Sequence, residues 1–347
     1  MVSYAFWNNK GGIGKSFLSF IASCEYAHQH PDADVYVIDL CPQANVSETL
    51  LSTSDYSSAM NDVLRGNPNI RCSVGGYLEA RLNSPFRELD NVEDFVCSPN
   101  DYNDNIPDNL YLICGDNILE IISEAIRQTS QLAIPVKAWS IVLNWITDLT
   151  TALQRRSGDR SAVVIIDCNP SFAIYTQLAI TASDYLVVPF TPDESSHRAI
   201  KNVMALLYGI DLDDPKLNSY ARINYHSRAV EEGIRLPKLH SFISNRVTMY
   251  EGKESKAFKA VSKVINSTVD TFYSQHKSNF SPRRDVPSKD FLFIPDYHGA
   301  CVYSATVGMP LHAIKPGPKN FRGERVQINK DPLDKYKDAL ENFVSRL

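Results

Sequence analysis

The chain has 347 residues, 44% of them hydrophobic and 22% charged, which is the composition of a soluble globular protein with one large or two modest domains. It contains no run of 18 apolar residues, so no membrane span is expected, and its N-terminus lacks the basic-then-apolar pattern of a signal segment. The seven cysteines are scattered and include no C-x-x-C pair, which indicates reduced thiols in a cytoplasmic compartment and argues against a zinc or iron–sulfur site.

Charge is distributed unevenly along the chain. The net charge of −5 combines an acidic segment, 52–109, with ten acidic and four basic residues, and a basic segment, 216–330, with nineteen basic and nine acidic residues. A basic C-terminal third on an acidic body is a candidate surface for a polyanion such as DNA. The alternative is an ordinary solvated surface on which the cations pair locally.

The first predicted elements enclose a glycine-rich turn. Residues 2–7 predict a short buried strand, and the apolar spacing over 17–28 predicts a helix. Between them the chain reads Asn8-Asn9-Lys10-Gly11-Gly12-Ile13-Gly14-Lys15-Ser16. A strand, a glycine-rich turn and a helix are typical of a phosphate-binding loop, because glycines let backbone N–H groups approach the anion and the helix N-terminus favours negative charge. In such a loop Lys15 reaches the β- and γ-phosphates and the Ser16 hydroxyl ligates Mg²⁺.

The loop departs from the common G-x-x-x-x-G-K-[ST] form in two places. Asn9 occupies the first glycine position, and Lys10 is an additional lysine. The form K-G-G-x-G-K-S resembles the deviant loop of the ParA/MinD family of P-loop ATPases. This resemblance implies that Lys10 reaches across a dimer interface to the nucleotide of the other subunit. It also implies that ATP is bound by the loop residues Gly11, Gly12, Ile13, Gly14, Lys15, Ser16 and Phe17. The alternative is a chance glycine-rich turn.

The next predicted strand, 35–40, contains Asp39 near its end, followed by Cys41-Pro42-Gln43-Ala44-Asn45. This string resembles the family's first switch, D-L-D-P-Q-x-N, with Cys41 at the second aspartate, which in the family helps to place the attacking water and the Mg²⁺ shell. A thiol supplies neither the charge nor the acceptor oxygens of a carboxylate. We therefore expect slow ATP hydrolysis that a partner stimulates, with Asp39 as a catalytic and metal-shell residue. Two alternatives remain: another residue supplies the missing group, or the substitution has little effect.

Residues 52–109 show broken apolar spacing and many Asn, Asp, Ser and Pro residues. Short helices are expected near 56–65 and 74–82. We interpret the segment as an acidic insertion that serves as a lid, as a partner surface or as a plain surface elaboration.

The middle of the chain predicts further alternation of strands and helices. Residues 109–114 predict a strand, 117–130 a helix, and 138–153 a helix with a core-facing apolar stripe. The wholly apolar strand 162–166 ends in Asp167, where a parallel sheet would place a Walker-B carboxylate beside the loop. The string Asp167-Cys168-Asn169-Pro170-Ser171 resembles the family's second switch, D-x-P-P-S, with Asn169 replacing the first proline.

After a strand at 185–189, residues 191–196 supply helix-capping side chains. Residues 212–238 mix basic and aromatic side chains, which suits nucleic acid or an ordinary loop: Arg222, Tyr225, His226, Arg228, Arg235 and Lys238. A strand at 239–244 precedes Asn245-Arg246, where the resemblance implies contact with the adenine; a strand-ending turn is the alternative. Lys253, Lys256, Lys259 and Lys263 then predict one basic helix face, for a polyanion or for solvent.

Residues 291–295 are expected to be the last strand. The segment 294–311 resembles the family's I-P-x…A…G-x-P-[LV] ending. The helix predicted over 331–347 has a net charge of −1, so we expect it to pack against the body instead of lying on a membrane.

Together these patterns predict an α/β fold: a doubly wound, mainly parallel sheet with helices on both faces, in a single domain spanning 1–347. The resemblance implies ATP and Mg²⁺ as cofactors, with the metal held by Ser16, Asp39 and Asp167. It also implies a homodimer in the ATP state, binding to nonspecific DNA, a stimulating partner protein and no membrane. Two alternatives stay open: a nucleotide-gated protein-interaction switch without DNA, and a ligase or reductase on the same scaffold.

Overall fold

A computed structural model of the chain describes residues 1–53, 57–210, 216, 219, 225–247, 249–250, 253–254, 256–296 and 298–347, without the side chains of 246–250, 253–254, 256–258 and 298. The strands in chain order are β1 Val2–Phe6, β2 Ala33–Leu40, β3 Leu110–Ile113, β4 Ser161–Cys168, β5 Tyr185–Phe190, β6 Lys238–Val247, β7 Met249–Tyr250, β8 Lys253–Glu254, β9 Leu292–Pro295, β10 Gly317–Phe321 and β11 Glu324–Ile328.

The helices alternate with these strands through most of the chain. They are α1 Lys15–Gln29, α2 Asn45–Leu50, α3 Met60–Arg65, α4 Val74–Asn83, α5 Ile118–Ser130, α6 Ala138–Leu143, α7 Trp145–Ser157, α8 Ile174–Thr181, α9 Glu194–Tyr208, α10 Ser227–Glu231, α11 Lys256–Gln275, α12 His298–Val307 and α13 Lys330–Val344.

One seven-stranded sheet organises the molecule. Its spatial order is β3-β2-β4-β1-β5-β6-β9, and every neighbouring pair is parallel. β1 lies in the middle, between β4 and β5, so the loop that follows it emerges where chain connections leave toward both sides of the sheet. In open parallel sheets, ligands bind at this point, beyond the carboxyl ends of the strands. The expected doubly wound fold is confirmed.

Helices cover both faces of the sheet because successive side chains of a strand point to opposite sides. In β1, Tyr4 and Phe6 pack into one buried cluster with α1, α2, α12 and α13. Ala5 packs into the opposite cluster, together with the following residue Trp7 and with side chains of α4 to α9. The central strands are apolar on both faces for this reason, as a parallel sheet between two helical layers requires.

The acidic segment 52–109 is packed into both layers. α3 contributes to the cluster around α1, whereas Tyr77 and Leu78 of α4 belong to the opposite cluster. Arg81 is 1% exposed, and its Nη1 lies 2.6 Å from Asp148 Oδ2 on α7. The Tyr77 hydroxyl donates to the Trp145 carbonyl at 2.7 Å. The two predicted helices are confirmed, and their packing makes the segment more than a surface elaboration.

Three expectations about the elements are wrong. Two helices, α6 and α7, replace the single one predicted over 138–153 and meet at Asn144, whose Nδ2 donates to the Ser140 carbonyl at 2.7 Å. Side-chain bonds of this kind compete with helical backbone bonds. The strand at 291–295 is not the last, because β10 and β11 form an antiparallel hairpin after it. Lys253 lies in β8, and the basic helix begins only at Lys256.

The C-terminal helix α13 packs against the body, as expected. Its apolar side is buried in the cluster that contains α1. Within the described part of the chain, no helix combines the length and apolarity that crossing a membrane requires.

Candidate active site

The glycine-rich turn leaves β1 and enters α1, whose first residue is Lys15. Gly12 and Gly14 adopt left-handed backbone conformations, with φ of 72° and 84°. A Cβ on Gly14 would lie 2.4 Å from Asn245 Nδ2, whereas one on Gly12 would have no atom within 4 Å. Gly14 is therefore required both by its backbone conformation and by the close approach of Asn245.

This difference predicts unequal costs for two alanine substitutions. We expect Gly12→Ala to lower the free energy of unfolding by about 1 kcal/mol, through left-handed strain alone, and Gly14→Ala by about 3 kcal/mol, because a clash is added. Urea unfolding followed by circular dichroism measures both. In an Asn245→Ala background the excess cost of Gly14→Ala should disappear, and equal costs in the natural background would contradict this account.

The Lys15 side chain is buried against the glycine-rich turn. Its residue is 6% exposed, and Nζ donates to the Lys10 carbonyl at 3.0 Å. Burial lowers the pKa of Lys15, while the negative charge of Asp167 acts in the opposite direction. No carboxylate among the described residues forms an ion pair with this ammonium. It is therefore available to a phosphate group in the turn.

Lys10 contacts its own chain at the start of α9. Its Nζ lies 2.5 Å from Asp193 Oδ2 and donates to Thr191 Oγ1 at 2.8 Å and to Ser196 Oγ at 3.2 Å. Burial raises the pKa of Asp193, but hydrogen bonds from Lys10, Thr191 and Ser195 outweigh it and hold this pKa well below its usual range. In a single chain the ammonium of Lys10 is thus already neutralised by Asp193. The sequence showed 191–196 only as a helix cap and gave no signal for this contact.

Asp39 and Asp167 form the acidic part of the site. They are paired in the register of β2 and β4, and both are fully buried. Burial raises the pKa of both carboxyls, and the charge of Asp167 further disfavours ionisation of Asp39. Asp39 Oδ2 accepts hydrogen bonds from the Ser47 backbone N–H at 3.1 Å and the Ser47 hydroxyl at 2.7 Å, and its Oδ1 accepts one from the Cys41 N–H at 3.1 Å. Sequence reasoning had not identified Ser47 as a partner.

Asp167 differs from Asp39 in having an unused oxygen. Its Oδ1 accepts from the Ser19 hydroxyl at 3.1 Å, and the Ser16 and Ser19 hydroxyls both act to lower its pKa against the effect of burial. Its buried Oδ2 has no hydrogen-bond partner of good geometry in the described part of the chain. Buried acceptors without partners are rare, and a metal-bound water would satisfy this one. No cluster of three His, Cys, Asp or Glu side chains suited to a metal occurs among the described residues. A Mg²⁺ ion here would therefore take most of its ligands from phosphate oxygens and water, as Mg²⁺ commonly does.

Cys41 is buried beside the acidic pair, at 5% exposure. Burial, together with the charges of Asp39 and Asp167, raises the pKa of its thiol to about 12. The thiol is consequently neutral at physiological pH and cannot accept a proton from water. Asn169 lies next to it, with Nδ2 3.9 Å from Cys41 Sγ. The two departures from the switch motifs are therefore neighbours.

Asn245 lies in β6 and contacts the glycine-rich turn. It is 5% exposed, and its Nδ2 donates to the Ile13 carbonyl at 2.9 Å. The structure thus gives Asn245 a role in holding the turn, and its expected contact with an adenine remains a prediction. The side chain of Arg246 lies outside the described residues.

The basic C-terminal third is only partly available to a polyanion. Lys259 and Lys263 are exposed on α11, and the side chains of Lys253 and Lys256 lie outside the described residues. Other cations pair locally: Arg228 with Glu232 at 3.2 Å, Arg235 with Asp184 at 3.2 Å and Lys289 with Asp285 at 2.8 Å.

In the mixed segment 212–238, Tyr225 is 1% exposed, and its hydroxyl is 3.0 Å from Thr181 Oγ1. It therefore cannot stack on a base. Arg222 of the same segment lies outside the described residues.

Comparisons with known proteins agree with this geometry. The family AAA_31, described as an AAA domain, matches residues 1–223. The virulence plasmid ParA family protein pGP5-D of Chlamydia psittaci is 28% identical over 203 residues, which is 58% of this chain and 62% of that protein. The match thus spans less than two thirds of this relative.

Solved structures share the fold across nearly the whole chain. The ATP complex of an aspartate-to-alanine variant of McdA from Cyanothece superposes with a TM-score of 0.59 at 13% identity, covering 99% of this chain and 96% of that one. The ParA of pNOB8 gives a TM-score of 0.55 at 15% identity, covering 99% and 98% of the two chains.

Proposed function

The chain belongs to the AAA_31 family and shares the fold of ParA-type proteins, and from this premise we propose that it is a ParA/MinD-like P-loop ATPase that acts as an ATP-dependent dimerising switch. In the proposed cycle the ATP state pairs two subunits and binds nonspecific DNA, and hydrolysis releases both. The relative pGP5-D is named a virulence plasmid ParA family protein, and by analogy we propose DNA segregation or cargo positioning for this chain. The observation that carries the proposal is the glycine turn with two lysines at its ends.

Nucleotide binding is supported by the turn itself. The backbone of Gly11 to Ser16, the N-terminal end of α1 and the ammonium of Lys15, which forms no ion pair with a described carboxylate, all favour a phosphate group. Ser16 and Asp167 would hold Mg²⁺ or its waters, and Asp39 supports this arrangement from β2. The metal supplies charge compensation at the phosphates when it is bound.

Dimerisation is supported by the position of Lys10. Its side chain is 23% exposed, and its partner Asp193 is 43% exposed, so the pair is reachable from outside the subunit. A phosphate group of the nucleotide bound to a second subunit carries more negative charge than Asp193 and can compete with it for the Lys10 ammonium. In the dimer each Lys10 would then leave Asp193 and neutralise the partner's nucleotide.

Slow hydrolysis is supported by the buried, neutral thiol of Cys41. General-base assistance or a placed carboxylate contributes about 10²–10⁴-fold to rates of this kind, and the thiol offers neither. We propose that basal turnover is low for this reason and that a partner protein raises it.

DNA binding is supported by the net charge of segment 216–330, which has nineteen basic and nine acidic residues, and by the exposed lysines of α11. Two copies in one dimer would double this charge and make binding strongly dependent on salt. The local pairing of several cations and the burial of Tyr225 favour a second candidate function, a nucleotide-gated protein-interaction switch without DNA.

One experiment separates these functions. The mass of the full chain is measured by light scattering with ATP and Mg²⁺, with ADP and without nucleotide, each with and without random duplex DNA at low and high salt. We expect dimers only with ATP, and DNA association only of those dimers and only at low salt. Lys15→Ala serves as the control variant that should not bind nucleotide, and we expect it to stay monomeric under every condition.

The possible outcomes are distinct. ATP-dependent dimers that do not bind DNA at low salt would favour the protein-interaction switch over the DNA-binding function. A chain that remains monomeric under saturating ATP and Mg²⁺ would contradict both.

A further inference from the structure

The second switch carries an asparagine, Asn169, whose amide orientation is fixed by its own turn. Its Oδ1 accepts hydrogen bonds from the Ser171 backbone N–H at 2.9 Å and from the Ser171 hydroxyl at 3.0 Å. A backbone N–H can only donate, so the amide atom that faces it is the oxygen. The two N–H donors of Nδ2 therefore point away from Ser171. Both lone pairs of the oxygen are in use, so the side chain is left with donors alone.

Those donors have no strong partner. The described contact of Nδ2 is Cys41 Sγ at 3.9 Å, and a neutral thiol sulfur is a weak acceptor. No other hydrogen bond from Nδ2 to a described residue is present. Asn169 is only partly buried, so water can accept from these donors in the free chain, and a ligand oxygen at the site would replace that water.

The residue that follows Asn169 lies next to the glycine turn. Pro170, the following residue, accepts a hydrogen bond from Asn9 Nδ2 through its carbonyl at 3.4 Å, and a Cβ on Gly11 would lie 3.8 Å from Pro170 Cγ. On its other side Asn169 contacts Cys41, which is near the acidic pair. Asn169 thus adjoins two parts of the site: through Pro170 it is next to the turn that would hold the phosphates, and through Cys41 it is near the carboxylates that would hold the metal shell.

We propose that Asn169 Nδ2 donates a hydrogen bond to the terminal phosphate of a nucleoside triphosphate held in the turn. The chain then distinguishes triphosphate from diphosphate through an amide at a position where the family motif has proline. Asn169 acts here by binding and not by activating water, because its oxygen is engaged with Ser171. This inference rests on the proposed binding of ATP and adds a residue that senses its third phosphate.

Equilibrium binding tests it without any turnover. The affinities of a fluorescent non-hydrolysable ATP analogue and of fluorescent ADP, both with Mg²⁺, are measured for the wild-type chain and for Asn169→Ala. We expect the substitution to weaken the triphosphate about tenfold and to leave ADP within about twofold, since only the triphosphate reaches the amide. Asn169→Asp replaces the donors with a charge and should weaken the triphosphate further.

Two controls accompany these variants. Asn91→Ala removes the same side chain at an exposed position of the acidic segment and should change neither affinity. Ser171→Ala keeps the backbone N–H that orients Oδ1, so it should weaken the triphosphate by less than Asn169→Ala does. Thermal unfolding of each variant shows whether the fold is retained.

Equal losses for both nucleotides, or no loss for either, in a folded Asn169→Ala chain would overturn the inference while leaving the proposed function intact. A wild-type chain that binds neither nucleotide would instead remove the proposed function, and this inference with it.

Discussion

Replacing Lys10 with alanine will abolish ATP-dependent dimers and leave ATP binding by the single chain within about threefold of wild type. The Lys10 ammonium is held by Asp193 at 2.5 Å at the start of α9, so we expect the single chain to bind its own nucleotide without it. A dimer of the variant lacks two ammonium groups, one from each subunit. Each would otherwise make charge-assisted hydrogen bonds of about 1.5–3 kcal/mol to the partner's nucleotide, so we expect association to weaken at least about a hundredfold. Sedimentation with ATP and Mg²⁺ measures the association, and fluorescence titration measures the binding.

Asp193→Asn is the matched control for this prediction. Asparagine keeps the cap of α9, where Asp193 Oδ1 accepts from the Ser196 N–H at 2.9 Å, but removes the charge that holds Lys10. Because the released lysine no longer has to leave an ion pair, we expect dimers about threefold tighter than wild type. Dimers that persist unchanged in Lys10→Ala would rule out the role of this lysine across the interface.

Replacing Cys41 with aspartate will raise the rate of ATP hydrolysis by at least about tenfold. The substitution restores the carboxylate of the family's first switch at a position that is 5% exposed and next to Asp39. Burying a third carboxyl group beside Asp39 and Asp167 has a cost, and we expect the free energy of unfolding to fall by about 1–3 kcal/mol. Single-turnover hydrolysis under saturating Mg²⁺ measures the rate, and urea unfolding measures the stability.

Cys41→Ser separates the carboxylate from a general change in polarity. Serine is similar in size to cysteine and cannot act as a base at neutral pH, so its rate should stay within about threefold of wild type. If Cys41→Ser accelerates hydrolysis as much as Cys41→Asp, the thiol slows the reaction for a reason other than the missing carboxylate. If neither substitution changes the rate, Cys41 is a tolerated replacement.

The sequence predicted the elements whose signal is local. Apolar runs marked β1, β2, β4 and β5, helical spacing marked α1 and α5, and the glycines between β1 and α1 marked the turn. Asp167 was identified because it follows the apolar strand 162–166, and Asp39 because its string resembles the family's first switch. The parallel sheet places both at the same edge. The hairpin of β10 and β11 was missed, since its strands are short and polar and show little alternation.

What the sequence by itself determined is the glycine-rich turn between β1 and α1 and the apolar strands that end near Asp39 and Asp167, because glycine spacing and apolar runs are properties of adjacent residues. Only the tertiary structure decided which groups these side chains meet. Lys10 pairs with Asp193 across 183 positions, and Asn169 contacts Cys41 across 128. It also decided that Tyr225 is buried, although the composition around it suggested an exposed surface. Such contacts depend on how distant segments pack, and no pattern of neighbouring residues encodes them.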